Sequence, residues 1–257
     1  MSTKYIMLKL RVIPTLLYRD FTLVKGTGFD AQRVVGSPMQ AVQVYNLRNV
    51  DELCFFDISA TSTGAGPDFG LIDEIADRCF MPLTVGGGVH TLDHVRGLLS
   101  VGADKVALNT ALFEAPEMLQ MASDKFGAQC MVAVIDTRVN SSGHTTVWSH
   151  NASRDTGLNP RYWAQELQRQ GAGEILLQSA DHDGMMQGYD LATLAEVSAA
   201  VSLPVIASGG AGTHDHLVAA VRSGADAVAA ASMFHFTEQT PMESKQHLAR
   251  HGVPTRC

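Results

Sequence analysis

Glu52-Leu-Cys-Phe-Phe-Asp-Ile-Ser59 returns later in the chain as Glu174-Ile-Leu-Leu-Gln-Ser-Ala-Asp181. At the same offset Gly86-Gly87-Gly88 meets Ser208-Gly209-Gly210, and Gly102-Ala-Asp-Lys-Val106 meets Gly224-Ala-Asp-Ala-Val228. Two halves of one design therefore follow each other in a single chain. Such a chain folds with internal twofold symmetry and presents two related sites. Glycines after a strand let backbone N–H groups approach an anion closely. A lone Gly-rich turn is weak support for phosphate. Two at matching positions predict a ligand with a phosphate at each end.

Outward from these units, short apolar runs alternate with amphipathic stretches. The runs Leu10–Leu17, Leu53–Ile58, Pro82–Val85, Lys105–Leu108, Met131–Asp136, Glu174–Gln178, Pro204–Ala207 and Ala227–Ala230 read as eight strands buried on both faces. Helical patterns lie between them at Met39–Asn46, Leu92–Ser100, Pro116–Lys125, Pro160–Gln170, Leu191–Ala200 and His214–Arg222, several followed by a C-capping Gly. Eight βα units with no change of composition predict an α/β fold, a (β/α)8 TIM barrel spanning residues 1–257 as one domain. A doubly wound open sheet fits the strand count less well and leaves the paired Gly turns unexplained. The segments around Tyr18–Val34 and Val139–Thr156 are expected to be extended loops over the strand C-termini.

The 257 residues, 46% hydrophobic and 18% charged, can bury a core without disulfides. A net charge of −7 argues against nucleic acid or an anionic membrane as partner, so any anion site must be local. Cys54, Cys79, Cys130 and Cys257 show no CxxC spacing; Cys54 and Cys130 are read as buried thiols of a reducing compartment. The N-terminal segment lacks the apolar h-region of a signal peptide, and no apolar stretch approaches a membrane span, so a cytoplasmic location is expected.

Four groups of residues carry candidate chemistry. Gly87 and Gly88, with Asn109 and Thr110 one unit later, form one phosphate cup; Ser208, Gly209 and Gly210, with Ala231 and Ser232, form the other. Arg11, Glu52, Lys105 and Glu174 sit near strand starts, at the bottom of the barrel, where charges must pair to be tolerated. They read as a stability plug, or as a ring that opens to admit a small neutral molecule such as ammonia. Asp136 ends the run Met131-Val-Ala-Val-Ile-Asp, where a catalytic acid or base is expected; Asp57, Asp181 and Asp183 lie near other strand ends, and Lys25 is the nearest cation of the first loop. Aligning Arg11–Leu17 with Cys130–Asp136 sets Leu17 against Asp136, a hydrocarbon against a carboxylate. Among ten histidines no HExxH motif appears and no metal is assigned; His90 and His235 read as structural, and His182, between two aspartates, as a residue that could touch ligand.

The stretches Asp51-Glu-Leu, Thr84-Val-Gly-Gly-Gly88, Gly102-Ala-Asp-Lys-Val106, Thr156-Gly157, Gly171-Ala-Gly-Glu-Ile-Leu-Leu177, Asp181-His-Asp-Gly184, Ala207-Ser-Gly-Gly-Ala-Gly212 and Phe234-His-Phe236 resemble the cyclase subunit of imidazole glycerol phosphate synthase. The likeness extends from Arg11 to Arg256. It implies a ribulose-phosphate-binding barrel with a half-barrel repeat, and a lyase of histidine biosynthesis acting without a cofactor. It also implies a bisphosphorylated ribulosyl aminoimidazole carboxamide substrate, and ammonia channelled from a glutaminase partner. Arg11, Glu52, Lys105 and Glu174 match that family's ammonia gate. Lys25, Asp181 and Gly184 join the phosphate cups as substrate-binding positions. Of the family's two catalytic aspartates Asp136 matches one, while Leu17 replaces the other. Ile13-Pro-Thr-Leu-Leu17 resembles instead a branch associated with amidating sugars of surface polysaccharide, although Phe234-His-Phe and the His251-Gly-Val-Pro tail look like the ordinary cyclase. The expectation is an ammonia-using synthase subunit diverged at its chemical step. A genuine histidine-pathway cyclase, with Asp20 or Asp57 covering for Leu17, and a non-catalytic glutaminase-activating conduit are the alternatives.

Overall fold

The computed structural model describes residues 9–256. Its eight apolar runs form β1 (Arg11–Arg19), β2 (Leu53–Asp57), β3 (Leu83–Gly86), β4 (Lys105–Leu108), β5 (Met131–Val139), β6 (Glu174–Ser179), β7 (Val205–Ser208) and β8 (Ala227–Ala230). Each pairs in parallel with its neighbours in sequence. β8 closes on β1 with Arg11 opposite Ala227, and β5 pairs β6 with Glu174 opposite Val132. The result is a closed, all-parallel (β/α)8 barrel in which β1 and β5 stand opposite each other.

Alternation along the strands sorts side chains between two cores. Val12, Leu16, Leu53, Phe55, Val106 and Ile135 face outward into the layer shared with the helices. Ile13, Cys54, Ala107, Val132, Leu176, Ile206, Ala227 and Ala229 fill the interior as an apolar plug, with Phe56 and Val134 packed on it. Cys54 is fully buried as expected; Cys130 is only half-buried, because it ends a 3-10 turn before β5 begins.

Around the barrel run α1 (Pro38–Leu47), α2 (Phe69–Ala76), α3 (Leu92–Ser100), α4 (Met118–Phe126), α5 (Pro160–Arg169), α6 (Leu191–Ser198), α7 (His214–Arg222) and α8 (Pro241–Arg250). Their N-termini are capped where the sequence offers an oxygen. Asp68, Thr91, Asn159 and Asp190 accept backbone N–H groups, and Thr240 with Glu243 forms a capping box. Lys245 anchors α8. Its buried ammonium donates to Asp51 and to the carbonyl of Asn49, both at 2.8 Å, while Asp51 also accepts from the backbone N–H of Val12.

The two segments expected as loops are β-hairpins. Thr22–Thr27 pairs antiparallel with the end of β1 and with Asp30–Gly36. Thr145–Ser149 pairs with the end of β5 and with Arg154–Asp155. Each half of the barrel thus begins with a nine-residue strand that runs past the rim into a hairpin. No described helix is long and apolar enough to cross a membrane.

Candidate active site

A cavity of about 350 Å³ opens at the C-terminal mouth of the barrel. Every cup residue expected from the sequence lines it: Gly87, Gly88, Asn109 and Thr110 from the first half, and Ser208, Gly209, Gly210, Ala231 and Ser232 from the second. Gly210 shows why the turn requires glycine. Its φ is +106°, and a Cβ there would fall inside the carbonyl oxygen of Gly188. We expect Gly210→Ala to lower the urea midpoint, with a loss of at least about 2 kcal/mol from backbone strain and displacement of the Gly188 carbonyl.

Three buried polar atoms of residues lining this cavity have no hydrogen-bond partner among the described residues: Thr15 Oγ1, Asn109 Oδ1 and Ser232 Oγ. Leaving such groups unpaired is costly unless a ligand or solvent completes them. They mark the cavity as built for a polar guest, with Asn109 in one cup and Ser232 in the other.

The acid sits between the cups. Asp136, 6% exposed, ends the interior face of β5 and accepts a hydrogen bond from Asn109 Nδ2 at 3.2 Å. Burial, and secondarily the charge of Asp183, push its carboxyl up to about 7. Near neutrality it can both give and take a proton. Asp183 is itself clamped by Lys25, whose ammonium contacts both carboxylate oxygens at 2.8 and 3.0 Å. Lys25 thus stands not on a free loop but on the hairpin strand Thr22–Thr27, buried and lining the cavity. Leu17 lines the opposite wall, on β1, facing Asp136 across the barrel.

Several positions differ from the expectation. Asp181 is absent from the cavity wall; its carboxylate accepts from Arg138 Nε and from the N–H of Val139, bracing the second hairpin. Gly184, three residues on, does line the cavity. His182 turns aside to Ser179, whereas His90, expected to be structural, reaches the cavity with its ring near Glu114. His235 has a structural role: its ring bonds the backbone of Thr15, packs edge-on against Tyr45, and is held neutral by burial, down to about 4. Of the acids considered as substitutes for a carboxylate at 17, Asp20 is exposed and off the wall. Asp57 reaches the wall, but its Oδ1 accepts from the Ser59 N–H, the Ser59 hydroxyl and the Ala60 N–H. Thr15 and Gln178 were not singled out in the sequence; strand alternation from Arg11 and Glu174 puts both on the interior face.

Beneath the apolar plug, Arg11, Glu52, Lys105 and Glu174 close a ring. Arg11 meets Glu52 at 2.6 Å and Glu174 at 2.8 Å; Lys105 meets them at 3.0 and 2.9 Å. Glu52 also accepts from Thr84 Oγ1 at 2.8 Å. Although burial opposes its charge, Arg11 and Lys105 hold the Glu52 carboxyl below its ordinary value.

A closed (β/α)8 barrel with duplicated halves, its cavity at the C-terminal mouth and its acid at a strand end, defines a barrel of the enzymatic class. The particular family follows from the sequence: the histidine biosynthesis protein family matches residues 11–240, and the chain belongs to it.

Proposed function

We propose that the chain is a synthase subunit of the cyclase type that adds ammonia, delivered from a glutaminase partner, to a phosphorylated substrate, and that it serves sugar amidation rather than histidine synthesis. The carrying observation is the buried acid Asp136, opposite a hydrocarbon at Leu17 and between the two cups, while the neighbouring Asp183 is tied up by Lys25. The glycine turns and the unpaired hydroxyl and amide atoms suit phosphate at both ends of the substrate. The ionic ring, above which lie Ile13, Cys54, Ala107 and their apolar neighbours with the Thr84 hydroxyl among them, suits a neutral nucleophile entering from beneath. Exposed Leu47 and Phe80 offer apolar docking surface on the same lower face. Asn46, beside Leu47, bonds the backbone at Arg78 and Phe80 and holds the two turns together.

Chemically, the nitrogen lone pair forms a C–N bond at an electrophilic carbon. Protonated Asp136 gives its proton to the oxygen that departs or develops charge. The carboxylate so formed recovers a proton from the newly bonded nitrogen. One group shuttles protons where a two-carboxylate site would divide the roles, which favours a simpler addition than a ring closure with acid and base on opposite walls.

Complementation of a histidine auxotroph tests the reading. The parent chain is expected not to restore growth, while purified protein uses ammonium with a phosphorylated sugar substrate. Growth supported by the parent chain would overturn the proposal in favour of an ordinary cyclase. Leu17→Asp is expected to raise turnover of the bisphosphorylated carboxamide, since it restores a carboxylate on the wall facing Asp136. The conduit alternative predicts glutaminase stimulation with no dependence on Asp136.

A further inference from the structure

Outside the cavity lining, on the outer wall, α7 and α8 bring three metal-ligating side chains together. Asp215 stands in the first turn of α7, His247 in the last turn of α8, and His251 caps that helix four residues later. One ligand atom from each lies within 4.8 Å of the others. None of the three lines the cavity. We propose that they form a binding site for a borderline divalent cation of the zinc type, clamping α8 to α7.

Two histidines at i and i+4 on one helix face converge on one point, the spacing used by helical zinc sites. Donor atoms of a tetrahedral N/O zinc site lie about 3.3 Å apart, given bonds of about 2.0 Å. Rotamer adjustments of an ångström or so therefore suffice here. Hydrogen bonding has already prepared the rings. His251 Nδ1 lies 2.9 Å from the carbonyl oxygen of His247, which can only accept, so Nδ1 carries the proton and Nε2 keeps its lone pair. His247 Nε2 meets Asp215 Oδ1 at 2.7 Å; a cation replaces the shared proton and is neutralised in part by the carboxylate.

His214 supports the set. Ser244 spends its hydroxyl proton on the carbonyl of Thr240, so its oxygen accepts from His214 Nδ1–H at 3.0 Å, leaving His214 Nε2 with a lone pair. Its ring centroid lies 5.6 Å from that of His247, and the His247 and His251 rings are 4.4 Å apart. Two imidazoles and one carboxylate select zinc, nickel or copper over magnesium and calcium, which prefer oxygen. With water as the fourth ligand, the cation would fasten the helix whose Lys245 anchors the base of the barrel.

Calorimetric titration of the chelator-treated full chain with zinc, nickel and magnesium tests the site. We expect one zinc per chain, no magnesium heat, and a higher melting temperature with zinc. Affinity should fall at least tenfold in His247→Ala and in His251→Gln, and the zinc-dependent melting shift should disappear. Cobalt(II) should give the intense visible absorption of a four-coordinate ion in the parent and lose it in both variants. Circular dichroism of the metal-free variants checks that each retains the fold; these residues are half-exposed or exposed, and two separate variants guard against misfolding of one. Equal zinc affinity in the parent and in both folded variants, or no zinc heat in the parent, would overturn the proposal.

Discussion

Asp136→Asn is expected to lower turnover on the phosphorylated substrate by about 10²–10⁴-fold, the usual contribution of a general acid–base group. KM should change little, because the amide keeps the shape of the side chain and the Asn109 contact while, in the proposed function, the cups hold the substrate. The parent's kcat/KM should show an ionisation near 7, absent from the residual activity of the variant. The stability effect has the opposite sign. The Asp136 carboxyl is raised in the folded state, so the folded chain holds a proton that the unfolded chain releases between the ordinary carboxylate value and about 7. Stability from this group is fully present below the unfolded value and declines as pH rises through about 7. Asp136→Asn removes that penalty. The variant should therefore unfold at a higher urea midpoint than the parent at pH 8, by up to a few kcal/mol, with the gap closing toward pH 4. Higher stability with lost turnover would identify a group retained for chemistry. Lower stability at pH 8 with retained turnover would reduce Asp136 to a packing residue.

Glu52→Ala should be among the most damaging single changes to stability. The carboxylate, 2% exposed, faces two cations and a threonine hydroxyl. Its removal leaves Arg11 and Lys105 largely buried with one partner, Glu174, between them. Breaking a buried ion pair from one side typically costs about 3–5 kcal/mol, because the surviving charge is uncompensated. Glu174→Ala should cost less: its side chain is 14% exposed and water can reach the cations it abandons. Urea titrations of the two variants test the order; equal small losses would show the ring to be loosely solvated. The ring can thus be a plug for stability and, in the proposed function, a gate, since both roles need the same closed circuit.

The barrel was legible because buried parallel strands are short, continuously apolar and evenly spaced; all eight appear within a few residues of their expected limits. The cups and the ring were legible for a related reason. A residue's place in its βα unit fixes its height in the barrel, so matched positions in sequence become matched positions around the mouth or the base. The hairpins were not legible. Thr22–Thr27 and Thr145–Ser149 are short and polar, and their strand state comes from extending β1 and β5 beyond the rim, a tertiary cause. The same step hid the Lys25–Asp183 pair, which depends on folding the hairpin over the mouth. Two helices were missed differently. Asp68 before α2 and the Thr240–Glu243 capping box before α8 are start signals visible in the sequence that were not used. Asp181, His182 and His90 were misplaced because loops rotate side chains without regard to spacing. His247 and His251 have that i, i+4 spacing but were passed over because the motif sought has a glutamate after the first histidine, where this chain has Leu248.

Ring closure has a consequence for the life of the protein in a crowded solution. Strand borders with unsatisfied amides recruit other chains, and open sheets must blunt them with charge, proline or covering helices. The eight parallel strands have no such border, since each side of each is taken by a neighbour. Among the described residues the longest outer hairpin strand is Asp30–Gly36, which carries the charges of Asp30 and Arg33 and bends at register shifts. Self-association through sheet extension is thus discouraged along that strand.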